Sequence, residues 1–133
     1  MTTRIVRLVA LCGFLMAGAG IGLQAHHSLA GVYDLAHEMV LVGTLEKLNF
    51  TNPHSSIELN VQSKDGSITK WTLVTASNTV LTRQGVTKSS IKPGDVLKIT
   101  MLPAKNGNPL GFIKSLDLGD GKDIKLFFEN QQN

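Results

Sequence analysis

Cysteine is nearly missing from this chain: Cys12 is the only one in 133 residues. It stands inside an apolar N-terminal run and follows Leu11, where a lipoprotein signal needs a small residue, so neither a lipid anchor nor a disulfide framework is expected. Any metal held beyond that run must therefore use nitrogen or oxygen ligands. Aromatic residues make up only 5% of the chain, and no basic run accompanies them, which excludes the stacking and phosphate-binding surface of a nucleic-acid partner. Long apolar runs are lacking as well. Gly13, Gly18, Gly20 and Gly22 interrupt the N-terminal one and leave it short for a bilayer-spanning helix, so a membrane anchor is the lesser alternative there. Internal repeats, low-complexity segments and interdomain linkers are also missing, and the length suits one core rather than two.

What stands at the N-terminus reads as a secretory signal. Arg4 and Arg7 supply the positive start, residues 5–19 are mostly apolar, and Leu23-Gln24-Ala25 offers a cleavage site. Cleavage after Ala25 makes residues 1–25 a signal peptide and the product periplasmic or secreted, with no membrane contact afterwards. The formal net charge of +3 then loses two of its 13 basic residues, leaving 11 against 10 acidic ones. A nearly neutral exported domain is a poor partner for nucleic acid on both charge and location.

The remainder, taken as a single domain over 26–128 with a flexible tail at 129–133, carries β patterns. An N-terminal arm over 29–35 has no sustained period. Residues 39–50 form a first strand that sets Val40, Val42, Leu45 and Leu48 against Leu41, Thr44, Glu46 and Lys47, with Gly43 breaking the alternation as a bulge would. Thr51-Asn52-Pro53-His54 is a turn. Strands over 56–62 and 67–74 flank Lys64-Asp65-Gly66, a strong hairpin signal. A short helix fits 77–84, capped by Ser77 or Asn78 and stopped by Gly85. Further strands follow at 95–102, 110–118 and 124–128. Three strands, one short helix and two or three more strands describe an all-β protein, a small OB-like barrel of five or six strands; a β-sandwich is the alternative.

All four histidines, His26, His27, His37 and His54, fall early in the exported part. Imidazoles without thiolates suit copper above all, with zinc or nickel as the other fitting metals. If His26 becomes the first residue, its α-amine and ring Nδ1 close a chelate, and a third nitrogen completes a histidine brace, a T-shaped set matched to Cu(II). His54, beside Pro53 at the end of the first strand, is the expected third ligand, against the plainer reading of a solvated loop residue. His27 is an additional ligand or a neighbour that supports the site, and Ser28 and Asp34 are candidates to orient ring nitrogens. His37 is expected at the surface. Ser55 and Ser56 lack the acid and oxyanion hole of a hydrolase, and Asp117, Asp120 and Asp123 surround a turn without calcium-loop spacing. Trp71 is expected in the core or at the barrel rim, and Met39 and Met101 in the core.

These pieces together resemble a family of small exported bacterial proteins of unassigned function whose mature chains start with His-His-Ser and later carry Asn-Pro-His. The resemblance runs through His26-His27-Ser28, Tyr33-Asp34, Gly43, Asn52-Pro53-His54, Trp71, Leu81-Thr82-Arg83-Gln84-Gly85, Pro93-Gly94-Asp95, Pro103-Ala104-Lys105-Asn106-Gly107 and Asp120-Gly121. It implies that His26, His27 and His54 are family features. Val74 and Val86 depart from it, where an acid and an aromatic residue are common, so no carboxylate ligand is expected from that region. The functional expectation is a periplasmic copper-binding protein for storage, delivery or sensing, whose partners are the metal ion and another periplasmic protein, and which binds rather than turns over a substrate. A metal-free OB-like module for a ligand or a protein is the alternative.

Overall fold

The computed structural model describes residues 29–126, so the leader, His26, His27 and Ser28 at one end and residues 127–133 at the other lie outside the described part. The strands are β1 (Met39–Asn49), β2 (Ser56–Gln62), β3 (Ile68–Val74), β4 (Val96–Pro103), β5 (Leu110–Asp117) and the short β6 (Asp123–Lys125). A single helical turn, α1 (Leu29–Val32), lies in the arm, and α2 (Asn78–Arg83) joins β3 to β4. The strands follow the order β3-β2-β1-β4-β5-β6, and a parallel pairing of β3 with β5 closes the first five into a barrel. This is the OB-like architecture expected from the sequence, and the closure rules out the sandwich.

Closure depends on β1, which is 11 residues long and serves two neighbours. Its first half, from Met39 to Thr44, pairs with β4, and its second half, from Thr44 to Asn49, pairs with β2. The strand must bend between them. Gly43 sits at that bend with its α-carbon against β2: a Cβ there would lie 2.6 Å from the Asn60 carbonyl oxygen and 2.9 Å from Leu59 Cγ. Glycine is required because backbone approaches backbone.

The expected bulge at Gly43 is corrected by this geometry. Gly43 pairs in regular register with Leu97, and the register shift falls between Leu45 and Lys47 instead. The first half of β1 is consequently turned over relative to the sequence reading. Leu41, Gly43 and Leu45 face the core, while Val40 and Val42 are 55% and 56% exposed on the outside. The shift exposes both Glu46 and Lys47 and lets Leu48 pack against the core again. Met39, also expected inside, is 39% exposed at the start of β1. Its partner Met101 is fully buried.

The helix closes one end of the barrel. Ser77 accepts the Val80 N–H in the N-cap position, and Gly85, at φ +85°, ends the helix with Gly85 N–H donating to Thr82 and Val86 N–H donating to Leu81. This pattern of two backward bonds places Leu81 and Val86 side by side. Both belong to the buried cluster with Leu45, Leu59, Ile99 and Ile113. Val86 is thus a plug residue, and Trp71 packs half-buried at the edge of the same cluster.

Adding one methyl at Gly43 forces β1 away from β2, and over-packing of this kind costs about 2 kcal/mol. Gly43→Ala should therefore lower stability by about that amount in urea unfolding, whereas Val42→Thr, on the outer face, should change it by less than about 0.5 kcal/mol.

Candidate metal centre

His54 is the one expected ligand that the described residues contain. It is exposed at the end of the loop between β1 and β2, after a cis Asn52–Pro53 peptide. The loop is fastened to the segment that follows β3. Ser55 N–H donates to the Ala76 carbonyl (3.0 Å), Thr75 N–H to the Ser55 carbonyl (2.9 Å), and Asn78 N–H to the Thr51 carbonyl (3.0 Å). These bonds extend the β2–β3 ladder beyond its Ser56–Val74 pair and carry it under the loop. Ser55 is fully buried and its hydroxyl is committed to Thr51, donating to the carbonyl at 3.0 Å and accepting the N–H at 3.2 Å. A hydroxyl so engaged is a structural bond rather than a nucleophile. Thr75 is fully buried too, and its Oγ1 has no hydrogen-bond partner.

A row of outward-facing residues leads from this loop around the barrel. Asn49 pairs with Ser56, Ser56 with Val74, Val74 with Phe112, and Phe112 with Leu102. The arm is anchored at the far part of that row. The Tyr33 ring lies 5.7 Å from that of Phe112, Tyr33 bridges to Ala104, and Asp34 N–H donates to the Pro103 carbonyl (2.9 Å). Lys105 holds α1 from the β4–β5 loop, its N–H on the Val32 carbonyl and its Nζ on that of Ala30 (2.6 Å). Burial of the Tyr33 ring raises its phenol above the ordinary value. From Ser56 to Phe112 is two strand spacings, roughly 10 Å. Val74 is the half-buried step between them.

His37 stands apart from His54. The two lie on either side of β1, and the His37 side chain is 79% exposed with its Nδ1 2.8 Å from Asp34 Oδ2. His37 is at the surface, as expected, and Asp34, a candidate to orient the ring of a metal-site histidine, instead meets the ring of His37. A separation of three residues between Asp34 and His37 was the available signal. Asp117, Asp120 and the adjacent glycines form turn bonds: Asp117 Oδ1 accepts the N–H of Gly119 (2.8 Å) and of Gly121 (3.1 Å), and Asp120 Oδ1 that of Lys122 (2.9 Å). Among the described residues no group of three or more His, Cys, Asp or Glu side chains is placed to hold a metal ion. The other two expected ligands, His26 and His27, lie outside the described residues.

Sequence reasoning missed the Thr51–Ser55 clasp. Its signal was two hydroxyl residues bracketing Asn52-Pro53-His54 at a spacing of four, a pattern that favours side-chain to backbone bonds in turns.

A family model described as a family of unknown function matches residues 15–113. No curated protein and no solved structure matches the chain.

The His37 contact, reinforced by the Ala36 N–H, holds the Asp34 carboxyl below its ordinary value of 3.8. A carboxylate shifted down favours the folded arm above the ordinary range and ceases to do so as pH falls through the shifted value. NMR titration of Asp34 should give a midpoint below 3.8, and His37→Ala should move it upward. Thr75→Val should leave stability unchanged or raise it by about 1 kcal/mol in urea unfolding, because it removes a buried hydroxyl that has no partner.

Proposed function

We propose that this chain, which belongs to the family of unknown function DUF6152, is a periplasmic copper-binding protein for storage, delivery or sensing. Cu(II) would be held by the α-amine and ring of His26, as the first residue after export, and by the imidazole of His54, with His27 close by. The observation that carries this reading is the outward row from Ser56 through Val74 to Phe112, which links the His54 loop to the aromatic anchor of the arm. His26 and His27 stand three and two positions before Leu29 in sequence. Three residues span up to about 10 Å when extended, which is comparable with the two strand spacings along the row. The donor set also fits the metal. Nitrogen ligands without thiolate suit Cu(II), and an exposed imidazole on a hydrogen-bonded loop offers a donor whose backbone is already ordered. The chemistry supplied by copper in such a set is ligand exchange and one-electron redox. The chain's own part is to present the nitrogens and to keep the loop in place.

One observation favours the metal-free alternative. Val40, Val42, Val96 and Ile68 are all more than half exposed, and the first three share the outer face of β1 and β4. Such a face suits a protein partner. The two readings part on metal stoichiometry.

Mass spectrometry of the exported protein should show His26 as the first residue, and that protein should bind one equivalent of Cu(II). His54→Ala should weaken the affinity at least tenfold in competition titration, the lower end of what loss of a site partner costs. A different first residue, or the absence of stoichiometric binding, would remove the copper reading and favour the partner-binding one.

A further inference from the structure

We infer that Thr51 is a positioning residue for His54, the side chain that sets the direction in which the imidazole is presented to a metal; this rests on the copper reading above. Thr51 spends every polar group it has on the loop. Its N–H donates to Ser55 Oγ (3.2 Å), its carbonyl accepts from Ser55 Oγ (3.0 Å) and from Asn78 N–H (3.0 Å), and its Oγ1 donates to the His54 carbonyl (2.8 Å). The first three bonds fasten Thr51 to buried Ser55 and to the start of α2. The fourth transmits that fixity to His54.

The neighbours of His54 explain why one hydroxyl matters there. Pro53, on one side, has no N–H to donate. Ser55, on the other, is held at both its N–H and its carbonyl by the segment after β3. The peptide plane joining His54 to Ser55 is therefore gripped from two directions, by Thr51 Oγ1 at the His54 oxygen and by Ala76 at the Ser55 nitrogen. With that plane fixed, the position of the His54 Cα is set and rotation about its Cα–C bond is the backbone freedom left on that side, so the directions open to the Cα–Cβ bond are narrowed although the ring is exposed. A ligand held in this way loses less freedom on coordination, which is the gain that preorganisation brings to a binding site. The Thr51–His54 bond lies at the exposed side of the loop while the Ser55 bonds lie on the part-buried side, so the first can be removed without opening the second.

The test uses the exported protein that begins at His26 and Cu(II) alone. Thr51→Val keeps the branched shape and loses the hydroxyl, and Thr51→Ser restores the hydroxyl. Thr51→Val should bind Cu(II) about tenfold more weakly and show a changed copper hyperfine pattern in electron paramagnetic resonance, with a melting midpoint close to that of the parent. Thr51→Ser should return both affinity and spectrum to the parent values. Parent-like affinity and spectrum in Thr51→Val, alongside weakened binding in His54→Ala, would overturn the positioning role and leave the copper reading standing. Equal losses in Thr51→Ser and Thr51→Val would overturn it as well, since the hydroxyl would not be the cause. Unchanged affinity in His54→Ala would bring down the copper assignment of His54 and this inference with it.

Discussion

The passage of β1 over β2 at Gly43 is the constraint from which the remaining architecture follows. One strand can be shared between β4 and β2 only if it bends sharply, and the bend brings its backbone against the Asn60 carbonyl with no room for a side chain. Once β1 is bent, β2 and β3 are carried round towards β5, and the parallel pairing from Thr72–Leu110 to Val74–Phe112 completes the ring. A second glycine assists at the closure. A Cβ on Gly111 would meet Met101 Sδ at 2.6 Å, so the sulfur occupies the space that the missing side chain leaves. Closure in turn sets Phe112 beside Val74 and so continues the Ser56–Val74 pair of the hairpin into one outward row.

That row ties the His54 loop and the anchored arm to the same face. At one end, the β2–β3 ladder continues through Ser55 and Thr75 under the His54 loop, so the loop inherits the rigidity of the barrel wall. At the other, Tyr33, Asp34 and Lys105 hold the arm against the ends of β4 and β5. An arm without these anchors would range widely, because a few residues at a chain end carry little burial to offset their conformational entropy. The charged outer face elsewhere is organised differently. Lys70 donates to Glu46 (2.5 Å) and lies 3.9 Å from Glu58, and that contact holds the Glu46 carboxyl below its ordinary range and raises Lys70. Being exposed, these pairs are screened and say more about strand register than about stability.

Two features of the His54 loop act on different scales. The barrel decides that the loop is fixed, through backbone bonds to residues after β3. The side chains of Thr51 and Ser55 decide how it is fixed, through bonds that reach only across the loop itself. Local hydroxyl-to-backbone bonds compete with regular structure in strands and helices, and here they stand in a turn where no regular structure is lost.

Much of this protein could be read from the chain alone. The alternation in 56–62 and 67–74 around Lys64-Asp65-Gly66 fixed a hairpin whose observed pairing spans Ser56 to Gln62 and Ile68 to Val74. Ser77 and Gly85 bounded α2 because capping is decided by a few neighbouring residues. The four histidines and the single cysteine, Cys12, limited the expectation for any metal to nitrogen and oxygen ligands without any fold. What the chain could not decide was the facing of β1. Valines at 40 and 42 and leucines at 41 and 45 satisfy either pleat, and the choice between them rests on whether the register slips at Gly43 or after Leu45. That choice belongs to the tertiary structure, because only when β2 crosses β1 does the space at Gly43 vanish and turn Leu41 inward and the two valines out. The neighbourhood of His54 and the arm was settled in the same way: the hairpin sets Ser56 beside Val74, but only barrel closure brings Phe112 to Val74 and completes the row.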